Sequence, residues 1–215
     1  MTVKFNNIED LQLLKYCKEN LGYTSISNNL LKSFDNDILR GFTDHGFKVQ
    51  DKNIKENIFN ASTPARAKQI YSTVSARIKS LDPSFYALFL RADVSTQKLY
   101  ALSAAFAHDT LFFEFVYEVI REKLIIGSDE LLTSDVRIFF KNKQLQDETV
   151  AKWQDYTLHR LGNAYQTMLY DAGMLGTSAG KKGRIIYRPI LDLTMENWLK
   201  AYDMEPVYKA LNGVR

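Results

Sequence analysis

The chain has 215 residues, 46% of them hydrophobic and 13% aromatic, and a net charge of +3, which is room for a real core in one large domain or two small ones. Four prolines, ten glycines and apolar runs of only a few residues, such as Leu111-Phe112-Phe113, exclude low-complexity, fibrous and membrane-spanning classes, the last needing roughly 20 apolar residues. One cysteine, Cys17, excludes an intramolecular disulfide and, with Glu9 and Asp10 where a leader would be apolar, points to a reducing, cytoplasmic compartment.

The elements read as mostly helical. Asn7 caps a helix over Ile8–Asn20, which carries Cys17 as a small core residue and ends before Gly22. Leu30-Leu31, Phe34, Ile38-Leu39 and Phe42 suggest two short helices around Asp35–Asp37, interrupted by Gly41 and Gly46; Asp51–Phe59 suggests a further one. From Ser62 the punctuation sharpens. Thr63 followed by Pro64 is a cap with proline at the first helical position, and it opens a helix with Ala67, Ile70, Tyr71, Val74, Ile78 and Leu81 on one face. Asp82-Pro83 repeats the signal for a short helix through Leu90, and Ser95 or Thr96 opens an alanine-rich helix to Ala107. Asp109 caps a helix to Ile126 that is apolar on most sides, with Glu114, Glu118, Arg121 and Glu122 as its polar stripe; such a helix is central, surrounded by others.

Ser134 starts another helix through Phe139-Phe140, and Asp147–Ala172 is a long helical pattern broken near Asp155 and ended by Gly173. Met174–Thr177 and Arg184–Arg188 then form two short strands around a glycine-rich turn. Thr194 caps a closing helix with Trp198 and Leu199, and Pro206 starts a last helical turn. The expected fold class is all-α: a multi-helix bundle with strands only after Gly173, forming a small C-terminal, winged-helix-like β-ribbon. A division near Asn60–Thr63 separates an N-terminal helical module, residues 1–60, from a C-terminal bundle with its ribbon, residues 61–215; one continuous domain is the alternative.

No catalytic constellation emerges. His45, His108 and His159 lie far apart and none pairs with another ligand at metal spacing, so neither a metal nor a cofactor is expected. Glu114, Glu118 and Glu122 share a helix face and could hold a cation, but they serve more simply as the exposed stripe of a buried helix, with Arg121 and Lys123 as partners. Gly176–Lys182 departs from a phosphate loop: three residues rather than four separate Gly176 from Gly180, and Lys182 stands where the metal-binding hydroxyl belongs. No nucleophile–base pair or nucleotide-binding glycine turn is present, and the chain reads as a non-enzyme.

Charge, by contrast, is concentrated. Ser62–Leu81 carries Arg66, Lys68, Arg77 and Lys79, and Thr177–Leu191 carries Lys181, Lys182, Arg184 and Arg188; neither holds an acid, so each sums to +4 in a chain of +3. A polyanion reads such concentration. At about 100° per residue, Arg66 and Arg77 fall on one shoulder of the first helix's apolar face and Lys68 and Lys79 on the other, so both pairs reach solvent. Cations that merely solubilise a helix would sit the same way. On the ribbon, glycines 176, 180 and 183 allow close backbone approach and cations of a wing meet phosphates; a solvated turn is the plain alternative. The preceding helix buries Leu158, Leu161, Tyr165, Met168, Leu169 and Ala172 and turns His159, Arg160, Asn163, Gln166, Thr167 and Tyr170 outward. Arg160 and Asn163 are the candidate base readers, because Arg suits guanine and Asn adenine in a major groove. Asp171, at the end of that face, would oppose phosphate.

Several stretches resemble a known family: Ser62-Thr63-Pro64-Ala65-Arg66-Ala67-Lys68 followed by Arg77-Ile78, Leu99–His108, Phe112–Leu124, Trp153-Gln154-Asp155, and Leu169–Leu175 with Ala172-Gly173. Residues from about Ile54 to Leu199 are similar to the BrxA family of BREX bacteriophage-defence systems. The resemblance implies an all-helical protein akin to NusB-like nucleic-acid binders, a basic DNA-binding surface, and action beside methyltransferase and ATPase components. Residues and resemblance together give the expectation of a non-enzymatic protein that binds duplex DNA through backbone phosphates. A protein–protein adaptor of the defence complex is one alternative, and an RNA binder is another, because a phosphate-reading surface does not choose its sugar.

Overall fold

The computed structural model describes residues 61–178 and 183–215. The expected N-terminal module, with Cys17 and His45, and the turn residues Lys181 and Lys182 lie outside the described residues.

Helix α1 (Pro64–Lys79) begins as its punctuation demands. Thr63 is extended and its Oγ1 accepts from Arg66 N at 3.2 Å, satisfying an amide with no intrahelical partner. Ala67, Ile70, Val74, Ile78 and Leu81 are buried, the predicted face. Helix α2 (Phe85–Arg91) follows, burying Phe85 and Phe89 one turn apart. Helix α3 (Val94–His108) starts at Asp93 rather than at Ser95 or Thr96: Asp93 Oδ1 accepts from Thr96 N at 2.9 Å. Hydrogen bonds from the Ser95 hydroxyl and the Thr96 N–H hold the Asp93 carboxyl down to about 2. The alanines 101, 104, 105 and 107 are all buried, and their small side chains let neighbouring helices approach closely.

Helix α4 (Thr110–Phe115) is capped by Asp109, runs into a π-helical turn (Val116–Ile120) and returns to α-helix as α5 (Arg121–Ile125). Phe112, Phe115, Val116 and Ile120 are fully buried, so the expected central helix is central. Its polar stripe is exposed only in part: Glu118 and Glu122 reach solvent as expected from sequence, but Glu114 and Arg121 are buried. Lys143, from helix α6 (Thr133–Gln146), places its Nζ 2.9 Å from Glu114 Oε2 and 2.6 Å from Glu118 Oε1. Arg121 does partner the stripe, its Nη2 3.3 Å from Glu122 Oε1, and lies 3.7 Å over the Tyr117 ring, whereas Lys123 pairs with Asp135 at 2.8 Å.

The long pattern after Asp147 breaks where expected, giving α7 (Glu148–Ala151) and α8 (Asp155–Asp171). Gly173, at φ +79°, ends α8 by letting Met174 N donate back to Leu169 O at 2.8 Å, a left-handed conformation that disfavours other side chains. Strands β2 (Leu175–Ser178) and β3 (Gly183–Ile186) follow within two residues of their predicted positions. The expectation of strands only after Gly173 is wrong. Strand β1 (Glu130–Leu132), between α5 and α6, pairs antiparallel with β3, giving a three-stranded sheet in the order β1-β3-β2. Leu131 is 1% exposed and anchors β1 to the core. Gly183 permits the pairing, since a Cβ there would meet Glu130 Cγ and Leu131 O at 2.8 Å. Helices α9 (Leu193–Ala201) and α10 (Glu205–Asn212) close the fold, with Trp198 Nε1 donating to Ser84 Oγ at 2.8 Å and its ring 5.6 Å from Tyr100. The described residues thus form a mostly helical bundle with one small antiparallel sheet, and none of their helices is long and apolar enough to cross a membrane.

Candidate nucleic-acid interface

The two basic segments rest on different elements. On α1, Lys68 and Lys79 are exposed and Arg66 is half-buried, its Nη1 donating to Gln69 Oε1 at 2.7 Å. Arg77 does not reach solvent. It is 2% exposed, which corrects its placement among solvent-facing cations. The helical wheel put it near Arg66 in angle, but angle ignores position along the axis. At the C-terminal end of α1 that shoulder lies under the α3–α4 junction, where Asp109 is 1% exposed.

Arg77 and Asp109 are buried near each other, and each feels the other's charge. Burial pushes the Arg77 guanidinium down to about 10, against the pull of Asp109 and Tyr165. Burial pushes the Asp109 carboxyl up to about 7, against the Phe112 N–H and Arg77. Asp109 Oδ1 accepts from Phe112 N at 3.0 Å, whereas its Oδ2 and Arg77 Nε find no hydrogen-bond partner among the described residues. His108, beside the pair, is lowered by burial and by Arg77.

The second segment stands on the sheet. Arg184 lies in β3, half-buried, with its Cζ 5.9 Å from the Tyr170 ring at the end of α8. Arg188, just past β3, is exposed and donates from Nη2 to Leu124 O at 3.3 Å. Because β3 is the middle strand, Arg184 sits on the best-supported part of the sheet, with Arg188 just beyond its end. Residues 179–182, which join β2 to β3, add Lys181 and Lys182 in sequence.

Helix α8 turns the predicted face outward. His159, Arg160, Asn163 and Tyr170 are exposed, Gln166 and Thr167 half-buried, and Leu158, Leu161, Tyr165, Met168 and Leu169 buried. Asn163 Nδ2 lies 3.3 Å from His159 Nδ1. Sequence reasoning overlooked Tyr156, which is 68% exposed with Arg160 Cζ 5.8 Å from its ring. The signal was an aromatic side chain on the polar face of an amphipathic helix. It also overlooked a groove of about 300 Å³ between α6 and α8, because the two helices reach it from distant parts of the chain. No group of three or more metal-ligating side chains is assembled among the described residues.

Fold and surface together define a class: a small helical bundle bearing a basic antiparallel hairpin at the end of its longest described helix. The BrxA family model matches residues 41–203, and the chain belongs to the BrxA family. It is 40% identical over 162 residues to the BREX protein BrxA of Bacillus cereus (strain H3081.97), covering 75% of this chain and 79% of that one. It is 22% identical to the BREX protein BrxA of Escherichia coli O9:H4 (strain HS), covering 64% of this chain and 65% of that one. The crystal structure of an uncharacterized protein from Magnetospirillum magneticum superposes with a TM-score of 0.71 at 17% identity, over 89% of this chain and 98% of that one. That likeness extends to the fold alone.

Proposed function

We propose that this chain is a DNA-binding component of a BREX phage-defence system that acts in the cytoplasm by binding rather than by catalysis. It grips duplex backbone phosphates through Arg184, Arg188, Lys181 and Lys182, with Arg66, Lys68 and Lys79 of α1 as further phosphate contacts and Arg160 and Asn163 of α8 facing the bases. In this reading β2 and β3 act as the wing of a winged helix, and α8 is the helix laid beside the DNA. Methyltransferase or ATPase components of the defence system are its protein partners. The observation that carries the reading is the acid-free segment Thr177–Leu191, whose arginines stand on and just past the central strand of a sheet anchored to the core. Family membership supports the defence role.

Each neutralised phosphate releases condensed counterions, so affinity for a short labelled duplex falls steeply with salt, on a log–log slope of roughly −0.9 per contact. Replacing Lys181, Lys182 and Arg184 together by Ala makes that slope shallower by about two to three and weakens all sequences alike. Fluorescence anisotropy across a salt series reads both. A triple variant with wild-type affinity and slope overturns the hairpin contact. A wild type that binds no nucleic acid at low salt hands the role to a protein adaptor, for which Ile138 and Leu145, exposed seven residues apart on α6, are the docking face.

A further inference from the structure

We infer that the outward face of α8 is a track for an unpaired strand of DNA. The inference rests on the DNA-binding reading above and deepens it by adding an unpaired strand to the duplex as a form of DNA that α8 meets. Tyr156, Asn163 and Tyr170 follow one another at intervals of seven residues, so they lie nearly in line along the helix. At about 1.5 Å per residue the two tyrosines stand roughly 21 Å apart. Both rings are exposed, on the side of α8 opposite the one packed into the core.

Each ring also has a guanidinium over it, Arg160 over Tyr156 at 5.8 Å and Arg184 over Tyr170 at 5.9 Å. A ring paired with a cation offers a nucleobase a stacking surface and offers the adjoining phosphate a counter-charge. Alongside this line, between α6 and α8, opens the groove of about 300 Å³, lined by buried Val136, Phe140 and Leu158 and by Arg137, His159 and Asn163. That is the small end of the range for ligand clefts. A single base turned out of its strand has the matching chemistry, a flat apolar face with a polar edge. The charge fits as well: Arg137, Arg160 and Arg184 flank the track, while the nearby Asp155 is engaged by Lys141 at 3.3 Å. Asp171, half-buried at the far end, opposes phosphate.

A paired duplex cannot stack on Tyr156 or Tyr170, because its bases are already stacked and show only their edges in the grooves, which Arg160 and Asn163 can still meet. Stacking on tyrosine needs a free base face, and every base has one, so the track carries little sequence preference.

The test compares labelled oligothymidine, the matching oligouridine and a blunt duplex by fluorescence anisotropy. Wild type is expected to bind oligothymidine. Tyr156→Ala with Tyr170→Ala is expected to weaken that binding by about 5- to 150-fold per ring, leaving blunt-duplex affinity nearly unchanged, while Tyr156→Phe with Tyr170→Phe retains wild-type binding. An unchanged melting temperature confirms that the exposed rings are not needed for folding. Equal losses on single strand and duplex, or no loss on the single strand, overturn the track. Tighter binding of oligouridine than of oligothymidine overturns its assignment to DNA. A wild type that binds duplex but no single strand refutes the track and leaves the duplex reading standing, whereas one that binds single strand but no duplex refutes the duplex grip alone.

Discussion

Asp109→Asn is expected to change how stability depends on pH. Asp109 is buried where α3 meets α4, capping α4 through Phe112 N and facing Arg77 from α1, His108 beside it, Glu114 from α4 and Tyr165 from α8. Its folded pKa, raised to about 7 mainly by burial, lies well above the ordinary carboxylate value of 3.8. Between those two pH values the unfolded chain has released the proton and the folded protein retains it. Stability is therefore lost as pH rises, with a slope near 1.4 kcal/mol per pH unit for one such group. From pH 5 to pH 7 that amounts to about 2–3 kcal/mol.

Asparagine keeps the capping oxygen but cannot titrate. The variant's stability relative to wild type should therefore rise by that amount across the interval. His108 runs the other way, because burial lowers its pKa and its contribution grows as pH approaches 6.5, but it does so in both proteins. Asparagine resembles the neutral acid that the folded wild type holds over most of this interval, so it takes no counter-charge from Arg77, which stays charged because it titrates near 10. Urea unfolding of both proteins at pH 5, 6 and 7 reads the difference. Parallel pH profiles would refute the assignment of a proton to buried Asp109.

Two further changes probe the packing. Lys143→Met strands Glu114 and Glu118 without their shared cation, and the expected loss is about 3–5 kcal/mol, read by thermal or urea unfolding; adding Glu114→Gln should recover part of it. Gly183→Val forces a side chain onto Glu130 and the Leu131 carbonyl, so β1 should detach from β3, and hydrogen exchange at the Ile186 amide, which donates to Asp129 O at 2.7 Å, should accelerate. Unchanged protection of that amide would show that the close approach of the two strands is dispensable.

Much of the candidate interface was legible in the chain. The acid-free hairpin, its two strands and the outward face of α8 all follow from patterns of two or 3.6 residues, which repeat locally. Arg77 shows the limit of that reading: the angle of a residue around its helix is local information, but what covers it is not. Tyr156 was readable in principle, since it shares a face with Asn163 and Tyr170, but its meaning depends on the groove beside it.

The sequence by itself determined where most helices start and stop and which faces they bury. Caps such as Thr63, Asp109 and Gly173 and the apolar spacing of α1 and α8 act within a turn of their own residues, whatever surrounds them. Tertiary structure alone decided the third strand, the burial of Arg77 against Asp109, the Lys143 bridge to Glu114 and Glu118, and the α6–α8 groove. Each of these joins residues many positions apart, and contacts of that kind leave no period in the sequence. Strand β1 is the clearest case: three residues are too few to carry an alternation, and only pairing with β3 supplies the hydrogen bonds that make them a strand.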